Sequence, residues 1–235
     1  ASLGHTVDVL CLGRACAWRL LEGWDAVDCV FGAADEEEML DTRYDAVTWN
    51  PWGRPPEDVW AGARIAPEPV DLRRRHETEA CMTVARKMGF AGATPPPHVE
   101  ATPRHKLAQR HGLAEPYVAV CPGIGSSGRG WERKLWPHWP AFIGALLKRG
   151  LQVVALGAPR DGDLRLGHDP EQPPRGLRDL RGLTSLRDAA GALRDASRVV
   201  AVDNGLAHIA AAMNADTHVL FGFTSEIKNR PLGPR

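Results

Sequence analysis

Residues 199–222 read VVAVDNGLAHIAAAMNADTHVLFG. An apolar run ends at Asp203, Asn204 and Gly205 turn the chain, LAHIAAAM opens a helix, and THVLFG begins a second apolar run. Near-continuous apolar strands separated by helices indicate a parallel sheet covered on both faces. In such open sheets, ligands bind at the carboxyl ends of the strands. The first turn of the helix that follows carries main-chain N–H groups without intrahelical partners, and these can hold a diphosphate. His208 lies one helical turn past Asn204, on a similar side. Taken singly, His208 reads better as a satisfied helix histidine and Asp203 as a capping carboxylate. Their joint placement at the end of one strand suggests a site.

Working outward, the same alternation recurs. Candidate strands are residues 7–12, 26–31, 44–49, 117–121, 151–157, 198–203 and 217–222; candidate helices are 14–22, 77–89, 138–149, 185–196 and 205–213. Gly150 stands where a left-handed residue ends a helix. Thr184 and Asn204 stand where side chains cap helix N-termini. Residues 91–116 are rich in Pro and polar residues and read as an interdomain linker with one short helix near 103–111. The organisation expected is therefore a small α/β unit at 1–90, a linker at 91–116 and a fuller α/β unit at 117–235. A second irregular stretch, 50–76, carries five prolines.

Two further stretches can contribute chemistry. In CPGIGSSGRGWERKLWP, residues 121–137, a strand ends at Cys121, a Gly/Ser-rich loop follows, and Trp136-Pro137 is expected to open a helix. Glycines let backbone N–H groups approach an anion, Ser126 and Ser127 offer hydroxyl donors, and Lys134 adds a positive charge. By composition alone a flexible surface loop reads equally well, and neither a Walker A loop nor a dinucleotide fingerprint is present. In LGAPRDGD, residues 156–163, a carboxylate such as Asp161 follows a strand and can meet ribose hydroxyls, although a solvated loop reads better in isolation.

The bulk numbers narrow the class. The formal net charge is +0, so the basic excess of a general nucleic-acid binder is missing. No apolar run approaches the ~20 residues of a membrane span, and residues 1–10 lack the pattern of a signal peptide. The five cysteines have no metal-like spacing and fit reduced thiols in a cytosolic protein. Cys16 and Cys121 lack an evident base, which argues against nucleophilic cysteine chemistry. The chain begins with Ala inside what reads as a helix-to-strand turn, and PLGPR closes it soon after a strand; truncation at both ends is expected.

These motifs in this order resemble glycosyltransferase family 9, the ADP-heptose:lipopolysaccharide heptosyltransferases. The similarity runs through Pro122-Gly123, Lys134, Trp136-Pro137, Leu156-Gly157, Asp161, LRGLTSL (180–186), DNGLAHIAAA (203–212) and LFGFT (220–224). It covers roughly residues 117–235. The departures are Asn204 in place of Thr or Ser and Phe223 in place of Pro. The N-terminal half resembles the family only loosely.

The resemblance implies a GT-B-like α/β fold of two Rossmann-like parallel-sheet domains, the N-terminal one shortened. It implies inverting, metal-independent transfer of a heptose or related sugar from an ADP-sugar to a lipopolysaccharide core or other saccharide, with no cofactor. No DxD-like carboxylate pair stands where Mg²⁺ would be needed. Ser126, Ser127 and Lys134 would meet the diphosphate or sugar, Lys134 stabilising the leaving group. Asp161 would meet the ribose and backbone near Thr184 the adenine. Asp203, Asn204, Gly205, Leu206 and His208 would line the diphosphate and heptose. The presumed catalytic base would lie upstream of Ala1. The implied setting is the cytoplasm, with peripheral contact at the inner membrane. A transferase with another donor or acceptor, and a non-catalytic nucleotide-sugar-binding remnant, remain open alternatives.

Overall fold

The computed structural model describes residues 8–11, 29–32, 44–49, 63–113, 116–124, 130–163, 166–167, 169 and 172–233. The chain divides into two compact units, Ala1–Pro95 and Pro96–Arg235. The first holds two parallel strand pairs. β1 (Asp8–Cys11) pairs with β2 (Cys29–Gly32), and β3 (Ala46–Val47) pairs with β4 (Ala63–Arg64). Helix α1 (Glu77–Lys87) follows, capped by His76, whose ring accepts from the Thr78 N–H. Lys87 Nζ donates to Ala66 O at 2.9 Å, and the Glu68 N–H to Thr83 Oγ1 at 2.9 Å, so α1 is stitched to the segment that follows β4. The helix expected at 14–22 lies outside the described residues.

The second unit is one five-stranded parallel sheet. Its strands are β5 (Tyr117–Cys121), β6 (Gln152–Ala155), β7 (Leu177–Asp179), β8 (Arg198–Val202) and β9 (Thr217–Leu220), in the spatial order β7-β6-β5-β8-β9. The order reverses between β5 and β8, whose registers match Cys121 with Ala201. That reversal opens a crevice beyond the carboxyl ends of two adjacent strands.

Side-chain alternation gives the sheet two apolar faces. Val118, Val120, Val153, Ala155, Leu177 and Val202 form one core cluster with Trp139, Ile143 and Leu146 of α3 (Trp139–Lys148). Tyr117 belongs to the opposite face and donates its hydroxyl to Ala192 O at 2.7 Å, tying β5 to α4 (Leu186–Asp195). α5 (Gly205–Ala212) shares that face, packed on β8 and α4. A short α6 (Glu226–Asn229) follows β9.

Several boundaries move by a residue or two from the sequence-based expectation. The cap of α4 is Ser185, not Thr184: its hydroxyl accepts from the Asp188 N–H at 3.0 Å. α3 starts at Trp139, so Pro140, not Pro137, occupies its first turn. Trp136 lies instead against Trp139, His138 and Phe142, with ring centroids 5.2, 5.6 and 5.9 Å apart, which holds the lead-in segment outside the helix. Gly150 takes φ 75° just beyond the end of α3, as a helix terminator does.

The Pro-rich stretch before β5 contributes α2 (Arg104–His111), which packs on α4. The Thr102 N–H donates to Arg187 O at 3.0 Å, and Thr102 Oγ1 to Asp188 Oδ1 at 2.6 Å. Arg110 and His111 lie on the same carboxylate, at 3.1 and 3.3 Å. The close fit depends on Gly191: a Cβ there would stand 2.5 Å from Thr102 O and 2.7 Å from Leu107 Cδ1. Residues 102–111 are thereby built onto the second unit. Among the described residues, no helix is long and apolar enough to cross a membrane.

Candidate functional site

The crevice at the strand-order reversal collects most of the residues singled out in the sequence. α5 starts directly after β8, so its N-terminus points into the space beyond Cys121 and Val202. Asn204 caps it, with Oδ1 accepting from the Ala207 N–H at 3.0 Å. The same side chain reaches across the crevice floor, Nδ2 donating to Cys121 O at 3.1 Å and Gly123 O at 2.7 Å. A Ser or Thr cap has no second donor for that purpose. The departure at 204 therefore ties the loop after β5 to the start of α5. Helix geometry leaves the N–H groups of Gly205 and Leu206 facing outward without intrahelical acceptors. His208 is exposed one turn further on.

Lys134 lies in a 3₁₀ turn, Trp131–Lys134, rather than in an open polar loop. Its Nζ stands 2.9 Å from Asp203 Oδ2 and donates to Asp203 O at 3.0 Å. Both side chains are buried, at 10% and 4% exposure, so the pair is held with little water around it. The ammonium also lies 4.1 Å from the centroid of the Trp131 ring. The ammonium is thus fixed beside the helix N-terminus, with its charge largely offset by the Asp203 carboxylate. Ser126 and Ser127 lie outside the described residues.

Asp161, on the next strand's loop, is 6% exposed and turned inward. It accepts from the Ala158 N–H at 2.8 Å and lies against Gly123, where a Cβ would come within 2.0 Å of its carboxyl carbon. Burial, with the charge of Asp161 adding to it, pushes the Cys121 thiol far above its ordinary range. Cys121 therefore stays protonated and is no nucleophile.

Sequence reading passed over the pair that fixes this edge of the crevice. Arg181 forks onto Asp179, Nε to Oδ1 at 2.8 Å and Nη2 to Oδ2 at 2.6 Å, while Nη1 donates to Asp161 O. One guanidinium thereby joins the loops after β6 and β7. The only local signal was the i, i+2 spacing of an acid and an arginine at a strand end. Thr184 follows in the same loop, half-buried. Away from the crevice, a shallow depression of about 380 Å³ runs along the outer strand β9, lined by Asn214, Val219, Phe221, Glu226 and Arg230 among others.

A family model described as glycosyltransferase family 9 (heptosyltransferase) matches residues 70–235. The chain belongs to glycosyltransferase family 9. In this family 9 chain the matched segment includes α1, the whole second unit and every crevice residue named above. The lipooligosaccharide heptosyltransferase 2 of Haemophilus influenzae is 32% identical over 127 residues, 51% of this chain and 35% of that protein. The lipopolysaccharide heptosyltransferase 2 of Escherichia coli K12 is 30% identical over 122 residues, 50% of this chain and 34% of that protein. The matched part thus spans only about a third of these relatives' length.

Solved structures share the parallel-sheet, GT-B-like α/β fold. The E. coli ADP-heptose lipopolysaccharide heptosyltransferase II superimposes with a TM-score of 0.70 at 20% identity, over 97% of this chain and 79% of that one. A family 9 glycosyl transferase of Veillonella parvula gives a TM-score of 0.72 at 16% identity, over 96% and 74%.

Proposed function

We propose that the second unit binds the nucleotide-diphosphate-sugar donor of a glycosyl transfer, and that the whole protein moves a heptose or related sugar from an ADP-sugar to a lipopolysaccharide core or similar saccharide. One observation carries the reading: the outward N–H groups of α5 and the anchored Lys134 meet at the strand-order reversal. The diphosphate lies across that point. Gly205 and Leu206 donate main-chain N–H groups, His208 lines the sugar side, and the buried Asp203 acts by holding Lys134 in place. Ser126 and Ser127 add hydroxyl donors from the loop after β5. The ribose and adenine lie towards Thr184 and Asp161. Because Asp161 is turned inward, its part is to shape the loop that meets the ribose.

The chemistry follows from the charges. An acceptor hydroxyl attacks the anomeric carbon from the face opposite the diphosphate, which inverts the configuration. The leaving diphosphate gathers negative charge, and donors fixed before the reaction stabilise it without reorganising. Removing one such donor typically costs about 2.7–4 kcal/mol. Lys134 and the α5 N–H groups supply this stabilisation without a metal ion. The setting that fits such a substrate is the cytoplasm, against the inner membrane face where lipopolysaccharide cores are built. The H. influenzae and E. coli relatives, heptosyltransferases by name, support the heptose assignment; the E. coli heptosyltransferase structure that contains ADP bears on the nucleotide alone.

Titration calorimetry of the whole chain with ADP, with and without EDTA, tests the reading. Equal binding in both is expected. Binding that vanishes with EDTA would sink the metal-free mechanism, and no binding in either would sink the donor site.

A further inference from the structure

We infer that Trp131 and Phe223 form an aromatic corner that grips the transferred sugar, making them specificity-determining residues of the donor site; the inference rests on the donor site proposed above. Both side chains are large, apolar and unusually open, at 40% and 46% exposure. They belong to different loops, one after β5 and one after β9, that meet over the carboxyl end of β8. Their ring centroids are 6.3 Å apart with planes at 62°, so they enclose an angle rather than stacking shut.

Each ring is also held by a cation. Arg133 lies over the Phe223 ring at 4.7 Å, and Lys134 over the Trp131 ring at 4.1 Å. Gly222 brings the β9 loop against the backbone of the 3₁₀ turn, where a Cβ would be 3.3 Å from Arg133 O. Lys134 is in turn pinned to Asp203. The aromatic pair therefore has a fixed position relative to the start of α5.

Topology says which part of the donor meets it. The strand order is β7-β6-β5-β8-β9, with neighbours about 4.8 Å apart. The nucleoside lies at the ends of β7 and β6 and the diphosphate at the ends of β5 and β8. A linear donor then places its sugar at the end of β9, where Phe223 stands. Aromatic faces carry negative charge density, and the C–H groups on one face of a pyranose ring are weakly positive, so ring and sugar face attract. Phe223 stands where the family pattern has Pro, which offers no such ring.

The test compares ADP with ADP-heptose by calorimetry on the whole chain and on Phe223→Ala, Trp131→Ala and Trp131→Phe. The quantity read is the ratio of the Kd for ADP to the Kd for ADP-heptose. An aromatic contact of ordinary strength predicts that this ratio falls about three- to tenfold in each alanine variant. Trp131→Phe should keep most of it. Far-UV spectra should be unchanged, since both rings are exposed. Ratios unchanged in both alanine variants would overturn the inference and leave the donor site standing. So would an unsubstituted chain that binds ADP but rejects ADP-heptose. A chain that binds neither ligand refutes the donor site itself, and the aromatic corner with it.

Discussion

At the scale of single residues, the pairing of Lys134 with Asp203 changes what substitution should do. In the sequence, Lys134 follows a Gly/Ser-rich loop and reads only as a positive charge for the diphosphate. The structure buries it against a carboxylate that is itself 4% exposed. Removing one partner of a buried pair leaves an uncompensated charge and typically costs about 3–5 kcal/mol. Lys134→Met should therefore lower both the thermal midpoint and ADP affinity. Lys134→Met combined with Asp203→Leu should recover a large part of the midpoint and none of the affinity. Thermal unfolding of the two variants and the double variant measures this; additive losses in the double variant would show that the two side chains are not coupled. Each residue was legible as a candidate. Their contact was not, because no local pattern links positions 69 apart. Asn204 shows the converse. Its capping role follows from its place before a helix, while its bonds to Cys121 O and Gly123 O depend on the neighbouring strand.

At the scale of elements, apolar runs and capping chemistry located β5, β6, β8, β9, α3, α4 and α5 to within a few residues. β7 escaped, being three residues long with an exposed arginine in its middle. The docking of α2 on α4 was equally hidden, because its key residue, Gly191, reads as a weak point in a helix until Thr102 O lies on it. Gly191→Ala should destabilise by about 1–3 kcal/mol, since the new methyl cannot be accommodated beside backbone; an unchanged midpoint would mean that α2 is not seated there.

Asp188 makes that docking pH-dependent. Burial alone would raise its carboxyl, but hydrogen bonds from Thr102 and His111 and the charges of Arg110 and His111 outweigh it and hold the group below its usual 3.8. A depressed carboxylate stabilises fully above its unfolded-state pKa and loses that contribution as pH falls through the folded value. Arg110 is over half exposed, so solvent screens its share. The midpoint difference between the unsubstituted chain and Asp188→Asn should shrink as pH falls below about 4. A difference that stays the same as pH falls from about 5 to about 2 would contradict the role given to this carboxylate.

At the scale of the whole molecule, the class of fold was readable because buried parallel strands and intervening helices leave opposite hydrophobic periods in the chain. The strand order was not, since periodicity carries no information about which strands are neighbours. That order makes the crevice: it brings the ends of β5 and β8 together and sets Lys134 beside the start of α5. The central claim is that a nucleotide diphosphate binds there. Amide hydrogen exchange of the whole chain with and without saturating ADP tests it most directly. Slowed exchange is expected at Gly205, Leu206 and residues 130–134, with little change along the outer depression at Asn214, Val219 and Arg230. Protection confined to that depression, or to the first unit, would contradict it.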